Sequence, residues 1–321
     1  GDYGYPRRTI FLVAFGAGQM NTPGNKQLLM SSSKQFWLVV TFFLFTTVSP
    51  LNAQAGFSRR IVSIVPAVTE MLFAIGASDQ VVGVSSFAEY PNEVNSRPRV
   101  GALLDPNIER ILSLRPDLVV MHESQTDAIG QMRRGGIEVF LYRHGSIANI
   151  TDMLRQLGQR TGQTTKAMTV AKQIETTLQS IRTRVSNYRK PRVLLVLGRE
   201  PNTIRNVYAS GGIGFLNDMI IAAGGVNVFA HIQSEAVRPN AEGILAASPD
   251  VIIEIRAEGL VPDNRMTGDP SIWDTLPAIP AVQKDRVYFL AGSDLIVPGP
   301  RVAKATERFA KTLHPVAFKS R

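Results

Sequence analysis

The sequence contains no cysteine. Disulfides, thiolate-bound metals and thiol catalysis are thereby excluded, as is a lipid-modified cysteine at a processing site. Histidine is scarce, limited to His122, His144, His231 and His314, and no two of them have H-x-x-x-H spacing. A metal site built from local sequence is therefore not visible. No G-x-S-x-G elbow is present for a serine hydrolase. Basic residues are numerous (35 Lys and Arg against 26 Asp and Glu) but form neither a block nor a basic-aromatic array. Nucleic acid is accordingly not an expected partner.

What is present begins with a leader-like segment. Lys26 and Lys34 precede the apolar run Phe36–Val48, which is followed by Ser49, Pro50 and Ala53-Gln54-Ala55. A basic start, a short apolar core and an A-x-A end predict a secretory signal peptide cleaved after Ala55, starting from Met20 or Met30. The run is short for a transmembrane helix, and an uncleaved anchor is the competing reading. Removing residues 1–55 takes away four basic residues and one acidic one, so the formal charge falls from +9 to +6. The full chain is 44% hydrophobic, ample for a packed core without disulfide staples.

The rest is organised around Thr164–Tyr188. Ala167, Ala171, Ile174, Leu178, Ile181, Val185 and Tyr188 recur four and three apart, on one stripe of a helix, with no Pro or Gly in the run. A helix of that length reaches roughly 36 Å, enough to join two bodies; a long surface helix of one domain is the alternative. Before it, Ile61–Val65, Val81–Val84, Leu118–Met121 and Glu138–Tyr142 read as strands. Thr69 is the expected cap of an early helix, Asn107 opens a helix ended by Pro116, and Ile147–Thr161 is helical. After it, Arg192–Leu197 reads as a strand and Gly214–Ala223 as a helix.

Asn240–Ile253 repeats Asn107–Val120 at a constant offset of 133 residues. Asn107 matches Asn240, Glu109 matches Glu242, Ile111-Leu112 match Ile244-Leu245, and Pro116-Asp117 match Pro249-Asp250. One helix–turn–strand unit thus recurs on each side of the rod, although chance likeness of two common units is the bland account. The prediction is α/β: two Rossmann-like lobes with mainly parallel sheets, at 56–163 and 190–321, joined by a backbone helix at 164–189. Ligands of such sheets sit beyond the carboxyl ends of the strands. The expected cleft residues are Ser85, Phe87, Tyr90, Leu103, Arg143 and His144 from the first lobe. Arg199, Tyr208, Arg238, Arg256 and Asp294 are expected from the second. Gly211-Gly212-Ile213-Gly214 before a helix offers backbone N–H groups to an anion, but it lacks the Walker lysine and the dinucleotide spacing, and a simple turn is the plainer reading.

The segments RIVSIVPAVTEMLFAIGA, VGVSSFAEYP and NIERILSLRPDLVV, the long helix, and Pro298–Arg301 before a last helix resemble the periplasmic binding proteins for cobalamin and ferric siderophores. The likeness spans nearly all of residues 59–315. That family comprises the ligand-capturing subunits of ABC importers, and the cobalamin branch is the most similar. The resemblance implies a non-enzymatic periplasmic carrier with no cofactor of its own. It would work as a monomer with two partners, a small-molecule metal chelate and an ABC permease dimer. It also implies that Glu109 and Glu242, one per lobe, dock onto arginines of the two membrane subunits; the plain alternative is that each merely favours a helix N-terminus. Tyr90 matches a cleft tyrosine of the cobalamin branch. Two tryptophans expected there are replaced, one near Leu103 or Leu104 and one near Arg238, while Trp273 is hard to align. Arg143, Arg199, Arg205, Arg238 and Arg256 suit an anionic chelate, whether a ferric siderophore, a haem or a corrinoid phosphate, unless they simply face solvent. His144 or His231 is in reach of a bound metal centre. An exported enzyme or a sensor on the same fold is the alternative from another class.

Overall fold

The computed structural model describes residues 56–256 and 270–319. The expected leader and its cleavage point lie outside the described residues. The chain alternates strand and helix: β1 (Ile61–Ser63), α1 (Pro66–Ala74), β2 (Val81–Val84), α2 (Ile108–Ser113), β3 (Leu118–His122), α3 (Thr126–Arg134), β4 (Glu138–Tyr142) and α4 (Ile147–Thr161). The rod is α5 (Thr164–Val185). Then follow β5 (Arg192–Gly198), β6 (Tyr208–Ser210), α6 (Phe215–Ala222), β7 (Val226–Asn227), β8 (Ala236–Val237), α7 (Ala241–Ala247), β9 (Val251–Arg256), α8 (Pro280–Gln283), β10 (Val287–Ala291) and α9 (Val302–Leu313).

The strands form two separate sheets, so the fold is two-lobed. The first has the order β2-β1-β3-β4 and is wholly parallel. The second has the order β10-β9-β5-β6-β8, with β7 beside β5. Its β5, β9 and β10 are parallel, whereas β6 runs antiparallel to both neighbours. Strand β6 has no signal of its own in the sequence. It is three residues long and takes its direction from pairing with β5, a non-local contact.

Helix α5 buries Ala167, Ala171, Ile174, Leu178, Ile181 and Val185, the stripe expected of it. At ~1.5 Å per residue its 22 residues span about 33 Å. It stops at Val185 rather than Tyr188, whose ring packs at a tilt on His314. One apolar cluster runs from Ile61 and Met71 of the first lobe through that stripe to Met219 and Phe309 of the second. Helix α4 is held by a capping box between Ser146 and Asn149 and ends at Gly162, whose φ of +74° suits glycine. Gly158 lets α5 approach: a Cβ there would collide with that of Ala167.

Two local expectations are corrected. Thr69 is not a cap but lies inside α1, which Pro66 opens at its first turn; the buried hydroxyl of Thr69 donates to the Ser63 hydroxyl and the Val65 carbonyl. Helix α2 ends at Ser113, short of Pro116, because Arg115 adopts φ +48°. Its counterpart Ser248, 133 residues on, has φ +44° after α7. The repeat therefore holds at the level of the backbone. Asn107 and Asn240 both cap through their side chains at 2.8 Å. Asp117 accepts from the Arg60 backbone N–H as Asp250 does from that of Arg192. The Arg60 and Arg192 guanidiniums donate to the matched carbonyls of Leu114 and Ala247.

Candidate functional site

The carboxyl ends of the first sheet carry Ser85, His122, Tyr142 and His144. Tyr142 and His144 follow from β4: the Tyr142 phenol lies 3.0 Å from His144 Nδ1, and the His122 ring stands 5.8 Å from that of Tyr142. Burial raises the Tyr142 pKa and lowers those of His122 and His144, for His144 against the opposing pull of Glu235. All three are therefore uncharged near neutral pH. In the tautomer that places the proton on Nδ1, His144 donates to Tyr142 and keeps the lone pair on Nε2.

The second sheet supplies cations. Gly198 pairs with Tyr208, and Arg256 with Ala291, so Arg199, Tyr208 and Arg256 share one sheet edge. Arg199 is tightly held, its side chain 3% exposed: Nε donates to Glu254 Oε2 at 3.0 Å and Nη1 to the Thr203 carbonyl at 3.2 Å, while Nη2 is buried with no hydrogen bond. Arg256 stacks 4.1 Å over Phe289, and desolvation lowers its pKa despite Glu254. Arg238 is exposed and stands 6.0 Å from the Tyr208 ring centre.

Among the described residues, polar and ring contacts join the lobes at two places. In one, His144 meets Phe215 edge to face at 5.6 Å, and the Ile147 N–H at the start of α4 donates to Asp218 of α6 at 2.9 Å. In the other, Arg301 ahead of α9 forks the Glu70 carboxylate of α1, at 2.8 and 2.5 Å, under the Tyr90 ring. Tyr90 and Phe87 remain about half exposed beside that seam, and Leu104 is exposed whereas Leu103 is half-buried, its carbonyl accepting from Gln125.

Other expected residues sit differently. Asp294 is buried with both oxygens engaged by Arg308. Arg143 is on the surface, paired with Glu123. Arg205 and His231 are exposed. Trp273 is fully buried in the second lobe's core, donating to Glu254 at 3.3 Å, so it is not a cleft wall. The N–H groups of Gly211, Gly212 and Ile213 donate to the carbonyls of Glu235, Ile232 and Ser234. That Gly-rich patch is thus a packed turn with three of its four N–H groups occupied. A groove lined by Thr151, Glu175, Gln179, Asp218 and Ile221 includes none of the expected cleft residues. No group of three or more His, Asp or Glu among the described residues is arranged to hold a metal ion.

Glu109 and Glu242 are both exposed in the first turns of α2 and α7. Three residues on, Leu112 and Leu245 are 44% and 38% exposed, a matched pair that sequence reasoning had placed only in the repeat. A singly exposed leucine is ordinary on a protein surface; it is the match between the lobes that sets this pair apart. His122 was also missed; its position at the end of a buried strand was the available signal.

A family model described as periplasmic binding protein matches residues 61–293. An uncharacterized ABC transporter substrate-binding lipoprotein of Bacillus subtilis is 29% identical over 269 residues, covering 81% of this chain and 82% of its own. The structure of a periplasmic vitamin B12 binding protein of Vibrio cholerae aligns with TM-score 0.67 and 25% identity, covering 82% of this chain and 99% of that one. A periplasmic heme-binding protein from Roseiflexus sp. RS-1 aligns with TM-score 0.67 and 27% identity, covering 81% and 99%. No helix among the described residues is long and apolar enough to cross a membrane.

Proposed function

The chain belongs to the periplasmic binding protein family, and we propose that it captures a metal chelate between its lobes and passes it to an ABC permease. The chelate is a cobalamin-type corrinoid or a ferric siderophore. The protein does no chemistry on it. It works as a monomer in the periplasm, exported through a cleavable signal peptide in residues 1–55. Its lobes comprise residues 56–163 and 190–321, joined by 164–189.

One observation carries this reading: the carboxyl ends of two separate sheets, with the loops that follow them, carry unlike side chains. Phe87, Tyr90, Leu103 and the uncharged His144 lie on one side. On the other are Arg199, Tyr208, Arg238 and Arg256, with Asp294 holding its edge through Arg308. Aromatic and apolar surface takes a flat macrocycle, and guanidiniums take carboxylate, phosphate or catecholate oxygens. Haem is the second reading, favoured by His144, whose neutral imidazole is the metal-ligating form. Titration with cyanocobalamin, haemin and a panel of ferric siderophores tests all three. A ligand specific for the folded state adds about 2.7 kcal/mol at a hundredfold excess over Kd. Absence of any spectral change or thermal stabilisation across that set refutes the proposal.

Delivery uses Glu109 and Glu242 with their neighbours Leu112 and Leu245. A carrier with one such helix per lobe suits a permease of two equal subunits. Charge there sets orientation and encounter rate, and the leucines offer apolar contact. Charge reversal of both glutamates to Lys, or Leu112→Asp with Leu245→Asp, is expected to leave ligand affinity intact and abolish uptake. Normal uptake by either double variant removes the docking role of that pair.

A further inference from the structure

We propose that Arg301 is a positioning residue: reaching from the second lobe, it holds the cleft tyrosine Tyr90 in place, with Glu70 as its anchor. This rests on Tyr90 lining the cleft. The guanidinium uses one edge to fork Glu70, Nε to Oε2 at 2.8 Å and Nη2 to Oε1 at 2.5 Å, and Nη2 also donates to the Ser293 hydroxyl at 3.2 Å. Its Cζ lies over the Tyr90 ring, 4.2 Å from the ring centre. Glu70 is 4% exposed and cannot swing away. The chain at Pro298–Pro300 crosses so near it that a Cβ on Gly299 would lie 3.1 Å from Oε2. The neighbouring acid, Asp294, does not compete for Arg301, because Arg308 engages both its oxygens.

The Tyr90 loop needs such a hold. Its base is tied down, since Arg99 donates to the carbonyls of Ser85 and Ala88 and the Phe87 N–H donates to the Ser85 hydroxyl. Beyond that base, Glu89 and Tyr90 are exposed, and the ring contact among the described residues is Arg301. With one face covered by the guanidinium, Tyr90 is still 46% exposed, which leaves ring surface for a ligand. Only arginine fits the role. Lysine presents a point charge and cannot fork a carboxylate while stacking flat on a ring. The wall of the cleft on one lobe is thereby set by a residue of the other, and Arg301 need not touch the ligand to affect its binding.

The test uses the full chain labelled with 3-fluorotyrosine, with the Tyr90 ¹⁹F signal assigned by its loss in Tyr90→Phe. In Arg301→Lys and Glu70→Gln, the Tyr90 signal is expected to move toward that of free fluorotyrosine and to show faster motion, with the other tyrosine signals unchanged. A Tyr90 signal that stays put in both variants, with native signals elsewhere, overturns the proposal. Should the variants lose the native spectrum, Tyr90→Leu carries the test. It leaves the Glu70–Arg301 pair in place, and the Arg301 Nε–H resonance must shift on losing the ring; no shift overturns the proposal. Ligand titrations form a separate arm. For whichever of cyanocobalamin or haemin binds the wild type, Arg301→Lys is expected to bind about tenfold more weakly through faster dissociation, and adding Tyr90→Leu to it is expected to cost less than the two singles combined. Equal affinity in Arg301→Lys refutes the link to binding. Failure of both probes on the wild type strikes the ligand reading instead, while the fluorine signal still decides the positioning role.

Discussion

Replacing Glu254 by Gln isolates the charge at the heart of the second lobe. The Glu254 carboxylate is 9% exposed and faces Arg199, itself 3% exposed, at 3.0 Å. It also accepts from Trp273 Nε1. Glutamine keeps an acceptor for the indole and removes only the negative charge. Arg199 then loses the carboxylate that accepts from its Nε. Stripping one partner from a buried ion pair costs about 3–5 kcal/mol. Arg199 retains the Thr203 carbonyl at 3.2 Å, so the lower end, about 3 kcal/mol, is expected. For a body of this size that lowers Tm by roughly 6–12 °C. The assay is urea unfolding alongside thermal melting, with Asp152→Asn as control; its surface pair with Arg155 is expected to matter by less than about 0.5 kcal/mol. Replacing both partners, Arg199→Met with Glu254→Leu, is expected to recover stability to within about 1 kcal/mol of wild type. A loss below about 1 kcal/mol in Glu254→Gln, or a double variant no better than the single, refutes the reasoning.

Two further outcomes follow from the same physics. His122, His144 and His314 have pKa values lowered by burial, so below the ordinary imidazole value of about 6.5 the unfolded chain binds protons that the folded one does not. Their contribution is complete above that value and falls as pH drops toward their lowered pKa values; His314→Gln is expected to flatten the slope of unfolding free energy between roughly pH 6.5 and 5 by up to about 1.4 kcal/mol per pH unit, as read by denaturant titrations, and an unchanged slope refutes it. The matched caps give the second: Asn107→Ala and Asn240→Ala are each expected to cost about 1 kcal/mol and to add when combined, by urea midpoint, whereas a loss in one alone would show that the two lobes do not use the repeat alike.

Much of this architecture was readable because it is local. The α5 stripe and the capping of α2 and α7 by Asn each depend on residues a few positions apart, where spacing alone dictates which side chains meet. The offset of 133 residues extended that reading to symmetry between the lobes. The candidate site was legible only as positions at strand ends. Nothing in the neighbourhood of Asp294 announces that Arg308 claims it, and nothing near Arg143 shows that it pairs with Glu123 on the surface.

By itself, then, the order of residues determined the alternation of strand and helix, the rod and the doubled unit, since these follow from short-range periodicity and backbone preference. Tertiary structure alone decided the antiparallel insertion of β6, the withdrawal of Trp273 into the core, and the meeting of Glu70, Tyr90 and Arg301 across 231 positions of chain. Contacts between residues so far apart are chosen by how whole elements pack. Only when the two lobes are set side by side does a guanidinium find both its carboxylate and its ring.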